Sequence, residues 1–257
     1  MEAVRQGGLG TFDLAGKVAV VVGGSGAIGF ATVERLAAAG ATVRVGARRP
    51  DARLDAAIGR LPGDGHRALR LPVDDSAEVD RAAASVLDRY GRVDVLVNAA
   101  GTTRKIDHDD LDAMTDEAFD EIYAVNVRGV FSVVRAFRPL LRAAQDAVVV
   151  NVSSLSAQTG LGSSIAYCAS KAALDAMGKS LARVLAPEVR VIGISPAAVD
   201  TDFVPGRSRS AVEAQASRSP LRTVVAPDDV AVAIMGAITH LRLTTGTAVV
   251  VDGGWHL

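Results

Sequence analysis

The chain has a single cysteine, Cys168, in 257 residues. That excludes an intrachain disulfide and any metal site built on cysteines. Aromatic residues are scarce, at 4%, so the core falls to Val, Ala, Leu and Ile. This is the composition of parallel sheets covered by helices on both faces. Net charge is only −1, which leaves no electrostatic footprint for nucleic acid or a membrane surface. No run of about 18 apolar residues occurs, which argues against a membrane span. Met1 to Asp13 carries Glu2, Arg5 and several glycines and has no apolar stretch of the kind found in secretion signals. A cytoplasmic setting is the expectation.

Strand-like and helix-like stretches alternate along the whole chain. Lys17–Val22, Ala41–Ala47, His66–Leu71, Val93–Asn98, Ala147–Val152, Val189–Ser195 and Ala248–Val251 read as strands. Ala27–Ala39, Ala52–Arg60, Ser76–Tyr90, Asp116–Leu141, Ser164–Leu185 and Asp228–His240 read as helices, with Gly40 a natural stop for the first. Repeated βα units require right-handed crossovers and predict one doubly wound α/β sheet of the Rossmann type, with helices on both faces. No Pro-, Ser- or charge-rich linker divides the chain. The expected organisation is a loose arm over residues 1–10 and one domain over 11–257. Asp200–Arg222, with Arg207, Arg209, Arg218 and Arg222, is the one long irregular stretch, and loops of that length are usually functional or disordered.

Gly23-Gly24-Ser25-Gly26-Ala27-Ile28-Gly29 falls between the first strand and the first helix. Glycines there let the backbone turn tightly and approach a pyrophosphate. The helix start then offers free N–H groups and the positive end of its dipole. Gly23, Ser25, Ala27, Ile28 and Gly29 are the expected contacts. A carboxylate at the end of the second strand would bind ribose hydroxyls and repel a 2′-phosphate. Ala47 stands there instead, followed by Arg48 and Arg49, whose guanidinium forks suit a phosphate. NADP(H) is therefore favoured, with NAD(H) retained as the second choice; the plain alternative is two arginines on a solvated loop. Asn98-Ala99-Ala100-Gly101 follows the fourth strand, and its small residues leave room for a flat cofactor.

Tyr167 and Lys171 are one helical turn apart, so phenol and ammonium share a face. A cation beside a phenol favours the phenolate and fits it for proton transfer to a substrate oxygen. Ser154, thirteen residues earlier, follows the fifth strand and offers a hydroxyl to a carbonyl oxygen. Asn126 lies in mid-helix, where a buried amide needs partners; a water linking Lys171 to bulk is the expected one. His108 sits among Asp107–Asp112. Surface charge and helix capping explain that stretch better than a metal site, and no metal is expected.

These motifs, in this order and spacing, resemble those of the short-chain dehydrogenase/reductase family over roughly Leu14–Leu257, and most closely its 3-oxoacyl-carrier-protein reductases. The resemblance implies Tyr167 as general acid/base, Lys171 on the nicotinamide ribose, Ser154 on the substrate and Asn126 in a proton relay. It further implies that Pro196, Val199 and Thr201 meet the nicotinamide, and that the Val73 backbone meets adenine. Leu155, Gln158, Leu161 and Phe203 would line the substrate pocket beside Ser154. The implied activity is NADPH-dependent hydride transfer to a small or medium carbonyl. A sugar or polyol dehydrogenase is the alternative, and a nucleotide sensor without turnover is the alternative of another class. Pairing of the long helices across a homodimer or homotetramer is also implied. The chain departs from the family pattern at Val22, Ala27, Pro72, Ala99 and Ala197.

Overall fold

The computed structural model describes residues 13–257; the expected N-terminal arm lies outside them. Seven parallel strands form one sheet: β1 (Val18–Val22), β2 (Thr42–Ala47), β3 (Arg67–Arg70), β4 (Val95–Asn98), β5 (Ala147–Val152), β6 (Val189–Pro196) and β7 (Thr247–Val251). Their spatial order is β3-β2-β1-β4-β5-β6-β7. The chain thus runs outward from β1 to one edge, returns to β4, and runs outward to the other. The doubly wound fold expected from the alternation is what the chain forms.

Helices α1 (Ala27–Ala38), α2 (Ala52–Ile58) and α9 (Pro227–Thr239) belong to one face. There Val21, Val45, Val97, Val150 and Ile192 pack with Val33, Leu36 and Ile234. The opposite face carries α3 (Ser76–Tyr90), α5 (Val130–Ala143) and α7 (Ile165–Leu185). There Val20, Leu96 and Val149 meet Val86, Phe137, Leu140 and Leu174. Every residue of β1, β4 and β5 is buried, which is why these strands read as continuous apolar runs rather than alternating ones. Burying each such valine contributes on the order of 1.5–3 kcal/mol before chain entropy is counted.

Caps set several helix starts. Asp51, Asp75 and Thr115 each accept a backbone N–H in the first turn of the helix that follows, a contribution of about 1 kcal/mol apiece. Two elements differ from expectation. The helix expected over Asp116–Leu141 is α4 (Asp116–Tyr123), then a π-helical turn over Ala124–Gly129, then α5. The stretch expected to be irregular contains helix α8 (Arg209–Ala216). Ser208 caps it, and Arg209 meets Glu213 one turn on at 3.0 Å. Only Val212 of α8 is buried, so the helix has no apolar stripe for a sequence pattern to show. A short helix, α6 (Ser156–Thr159), follows β5.

Candidate active site

The strand order reverses between β1 and β4, and in open α/β sheets ligands bind outside the carboxyl ends of strands at such a point. The chain leaves β1 through Gly23 and β4 through Asn98, which sit side by side (Val22 pairs with Asn98). Gly23 has φ +73°, and a Cβ there would lie 2.5 Å from Ala100 N. Glycine is thus needed for the turn and for the close approach of the two loops. A Cβ on Gly29 would fall 2.2 Å from Gly23 O, so this glycine seats α1 against the turn. Gly26, by contrast, would place a Cβ no closer than 3.4 Å to its neighbours. The Ala27 methyl is exposed, so the departure at that position crowds no protein atom.

No side chain caps α1, and its first turn holds no acid. Its leading N–H groups are therefore open to an anion. They border a cleft of about 1220 Å³ that runs from Gly26, Ala27, Ile28 and Gly29 past Ala99 and Gly101 to Lys171, Tyr167, Pro196, Val199 and Thr201. Ser154, Leu155, Leu161 and Phe203 line the same cleft. Its volume exceeds that of most single-ligand pockets, so it has space for a dinucleotide end and a substrate together. Gly23, Ser25, Arg48, Arg49, Val73, Asn98 and Ala100 are not in its wall. Arg48 and Arg49 are exposed at the end of β2, and Arg48 Nη1 bonds Asp74 Oδ2 at 2.9 Å. Gln158 is displaced from its expected place: it lines a separate cavity with Asn151, Asp175 and Lys179. The cause is α6, whose single turn carries Ser156 and Thr159 into the main cleft wall and Gln158 away from it.

Tyr167 and Lys171 lie on the buried face of α7, with Lys171 Nζ 5.8 Å from the phenol ring centroid. Lys171 Nζ donates to Val152 O at 2.8 Å. Burial pulls its ammonium down to about 8, partly opposed by Asp175. Burial pushes the Tyr167 phenol up to about 12; hydrogen bonding to Ser154 and the charge of Arg207 pull against that rise. The opposing pull expected from Lys171 thus comes from Ser154 and Arg207 in this site. Ser154 Oγ also accepts the Ser156 N–H at 3.1 Å. Phe203, from the 200–222 stretch, tilts against the Tyr167 ring with centroids 5.9 Å apart.

Asn126 is fully buried in the π-helical turn. Its Oδ1 accepts from Thr102 N at 2.8 Å, and its Nδ2 donates to Thr102 O and Ser170 Oγ, each at 3.0 Å. Both amide hydrogens are therefore spent on protein groups. The amide ties the loop after β4 to α7. Gly101 lies between these groups: a Cβ there would stand 3.4 Å from Asn126 Oδ1 and 3.8 Å from Lys171 Nζ. Ser170, which sequence reasoning passed over, completes the tie by donating to Tyr167 O at 2.8 Å. Its one sequence signal is its place between Tyr167 and Lys171. His108, set aside above with its Asp-rich stretch, and Trp255 also reach the cleft wall. Among the described residues, no group of three or more His, Cys, Asp or Glu side chains is placed to hold a metal ion.

A family model described as enoyl-(acyl carrier protein) reductase matches residues 23–256. The chain belongs to the short-chain dehydrogenase/reductase family. This short-chain oxidoreductase is 37% identical over 242 residues to a protein assigned as ketoacyl reductase 2 of the granaticin polyketide synthase of Streptomyces violaceoruber, covering 93% of this chain and 96% of that one. It is 34% identical over 246 residues to the 3-oxoacyl-acyl-carrier-protein reductase of Thermotoga maritima, covering 94% and 98%. Among solved structures, the 3-ketoacyl-acyl-carrier-protein reductase of Brucella melitensis complexed with NADH aligns at TM-score 0.87 and 31% identity, over 95% of this chain and 100% of that one. A short-chain dehydrogenase of Burkholderia cenocepacia in complex with NADP aligns at TM-score 0.84 and 32% identity, over 95% and 99%. The enzyme is thus a 3-oxoacyl-reductase-like member of a family that uses nicotinamide cofactors on carbonyl and alcohol groups.

Proposed function

We propose that the enzyme is an NADPH-preferring reductase of small or medium carbonyl compounds, with Tyr167 as the proton donor. The observation that carries this is one cleft wall that holds the Tyr167 and Ser154 hydroxyls together with the uncapped start of α1, so that a carbonyl oxygen and a nicotinamide cofactor can meet there. Reduction of a carbonyl needs an acid at the oxygen, whereas alcohol oxidation needs a base. The same hydroxyl serves a sugar or polyol dehydrogenase in reverse, and the likeness to ketoacyl and 3-oxoacyl reductases favours the reducing direction.

The uncapped start of α1, the Gly23–Gly29 turn, Ala99, Gly101, Pro196, Val199 and Thr201 would hold the cofactor, which supplies the hydride when bound. Ser154 Oγ and Tyr167 Oη converge on the substrate oxygen. Ser154 steadies the carbonyl, and Tyr167 gives up its proton as the oxygen gains electron density. Lys171, with its ammonium near 8, is the donor that reloads the phenol. Its Nζ stands 5.8 Å from the phenol ring centroid. Asn126 is a positioning residue that locks Gly101 and Thr102 against α7. Leu155, Leu161 and Phe203 supply the apolar wall.

Arg48 supports the NADP(H) preference. It is exposed at the end of β2 with no carboxylate beside it on that strand, and its partner Asp74 is exchangeable for a 2′-phosphate. The test is steady-state reduction of 3-oxoacyl esters followed at the nicotinamide absorbance. NADPH should be preferred over NADH by at least about tenfold, as one charge-assisted contact implies, and Arg48→Asp should erase that preference. Equal use of both cofactors by the unmodified enzyme refutes the role of Arg48. Tyr167→Phe should abolish turnover while cofactor binding, read by NADPH fluorescence, persists; retained turnover refutes the proton-donor role. Self-association through the long helices is supported by Phe131 on α5 and Val184 on α7, both exposed apolar residues, and a sedimentation measurement showing only monomer refutes it. A cytoplasmic location remains part of this reading; no helix among the described residues is long and apolar enough to cross a membrane.

A further inference from the structure

Two buried nitrogens on residues of the cleft wall, Arg207 Nε and His108 Nε2, have no hydrogen-bond partner among the described residues. Arg207 is anchored rather than loose: its Nη2 donates to Val199 O at 2.5 Å. The guanidinium is held partly buried and close enough to the Tyr167 hydroxyl to act on it electrostatically. Asp200, the acid on this segment whose charge reaches Arg207, is engaged by Arg209 at 2.9 Å. Asp107 and Asp202 also border the cleft, as do Lys105 and Arg218. None of these four has an ion pair among the described residues. A permanently charged group with a buried, unpaired N–H is unfavourable unless an incoming acceptor completes it. A carbonyl compound already seated on Tyr167 and Ser154 is in place to bring that acceptor.

We propose that Arg207 is a specificity-determining residue that pairs with an anionic group on the substrate, so that the preferred substrates are carbonyl compounds carrying a carboxylate or phosphate within reach of the reacting carbon. This inference rests on the carbonyl-reductase reading above and adds the substrate's charge to it. The Arg207 fork suits the two oxygens of either anion. The anion that meets this reach is the carboxylate of a small oxo acid; the phosphate of a pantetheine-borne oxoacyl thioester lies a whole pantetheine arm beyond the reacting carbon.

Two matched pairs test this. Acetoacetate is compared with methyl acetoacetate, and acetoacetyl-coenzyme A with acetoacetyl-N-acetylcysteamine, as ratios of kcat/KM with NADPH. The unmodified enzyme should favour acetoacetate over its methyl ester by about tenfold or more. In Arg207→Gln that ratio should fall to within about threefold of unity, and Arg207→Lys should restore part of it, since the charge returns without the fork. A ratio that collapses only in the coenzyme A pair places the anion at the distant phosphate and overturns the proposal. A readout independent of turnover comes from Trp255, the chain's only tryptophan, which lines the cleft. Its fluorescence should respond to the preferred charged member with a Kd at least about fivefold weaker in Arg207→Gln. Turnover without charge preference in both pairs, or a preference that Arg207→Gln leaves intact, overturns this proposal and leaves carbonyl reduction standing. No turnover of any of the four compounds overturns the 3-oxoacyl reading together with it.

Discussion

Lys171 carries a stability penalty that its removal should expose. The side chain is 3% exposed, and burial takes its ammonium from an ordinary 10.5 to about 8. The sign follows from proton linkage. The unfolded chain binds the proton more tightly than the folded one, so folding is penalised at low pH and relieved as pH rises from about 8 to 10.5. With these values the penalty is about 3 kcal/mol at pH 7 and roughly 1 kcal/mol at pH 10. Lys171→Met removes it but also removes the bond to Val152 O, which returns about 1 kcal/mol. The variant should therefore be inactive yet more stable than the parent by about 2 kcal/mol at pH 7, and level with it at pH 10. Urea unfolding of cofactor-free protein at both pH values, at one protein concentration, measures this directly. A variant that is less stable at both, or a difference that does not change with pH, refutes the claim that Lys171 is held as a strained, desolvated cation.

Two further perturbations test the scaffold. Gly29→Ala drives a methyl to within 2.2 Å of Gly23 O; it should destabilise the fold by about 3 kcal/mol and weaken NADPH binding by fluorescence titration. Gly26→Ala, with φ −80° and 3.4 Å of clearance, should shift stability by less than about 1 kcal/mol. Equal effects of the two would remove the packing argument for Gly29. Asn126→Ala strands the N–H and carbonyl of Thr102 and frees Ser170, and should lower stability by about 2–3 kcal/mol together with kcat. A variant with lower kcat and unchanged denaturant midpoint would instead support the water-holding role expected from sequence.

The sheet was readable because buried parallel strands are runs of Val, and the turns after β1 and β4 are marked by Gly and small residues. The Tyr167–Lys171 pair was readable because helical geometry places residues one turn apart on one face. What escaped depends on surroundings that spacing does not encode. The π-helical turn around Asn126 is invisible because its residues keep a helical pattern. The amide's three partners come from segments 24 and 44 residues away. Gln158 was misplaced because a four-residue helix sends its neighbours in opposite directions. The direction in which Tyr167 and Lys171 shift is set by desolvation, a property of the packed core and not of the Tyr-x-x-x-Lys motif. Helix α8 escaped because it buries a single residue.

Val199 and Val225 form an isolated parallel bridge, and Asp200 N bonds Val225 O at 3.1 Å. The chain between them leaves and rejoins the body at this clasp, carrying Phe203, Arg207 and α8 with it, and is held a second time where Leu221 N donates to Gly253 O at 3.0 Å. Closing such a loop depends only weakly on its length. The span is thus one flank of the cleft held as a unit: a change anywhere in its course that shifts Phe203 or Arg207 reaches the Tyr167 phenol as well as the substrate wall.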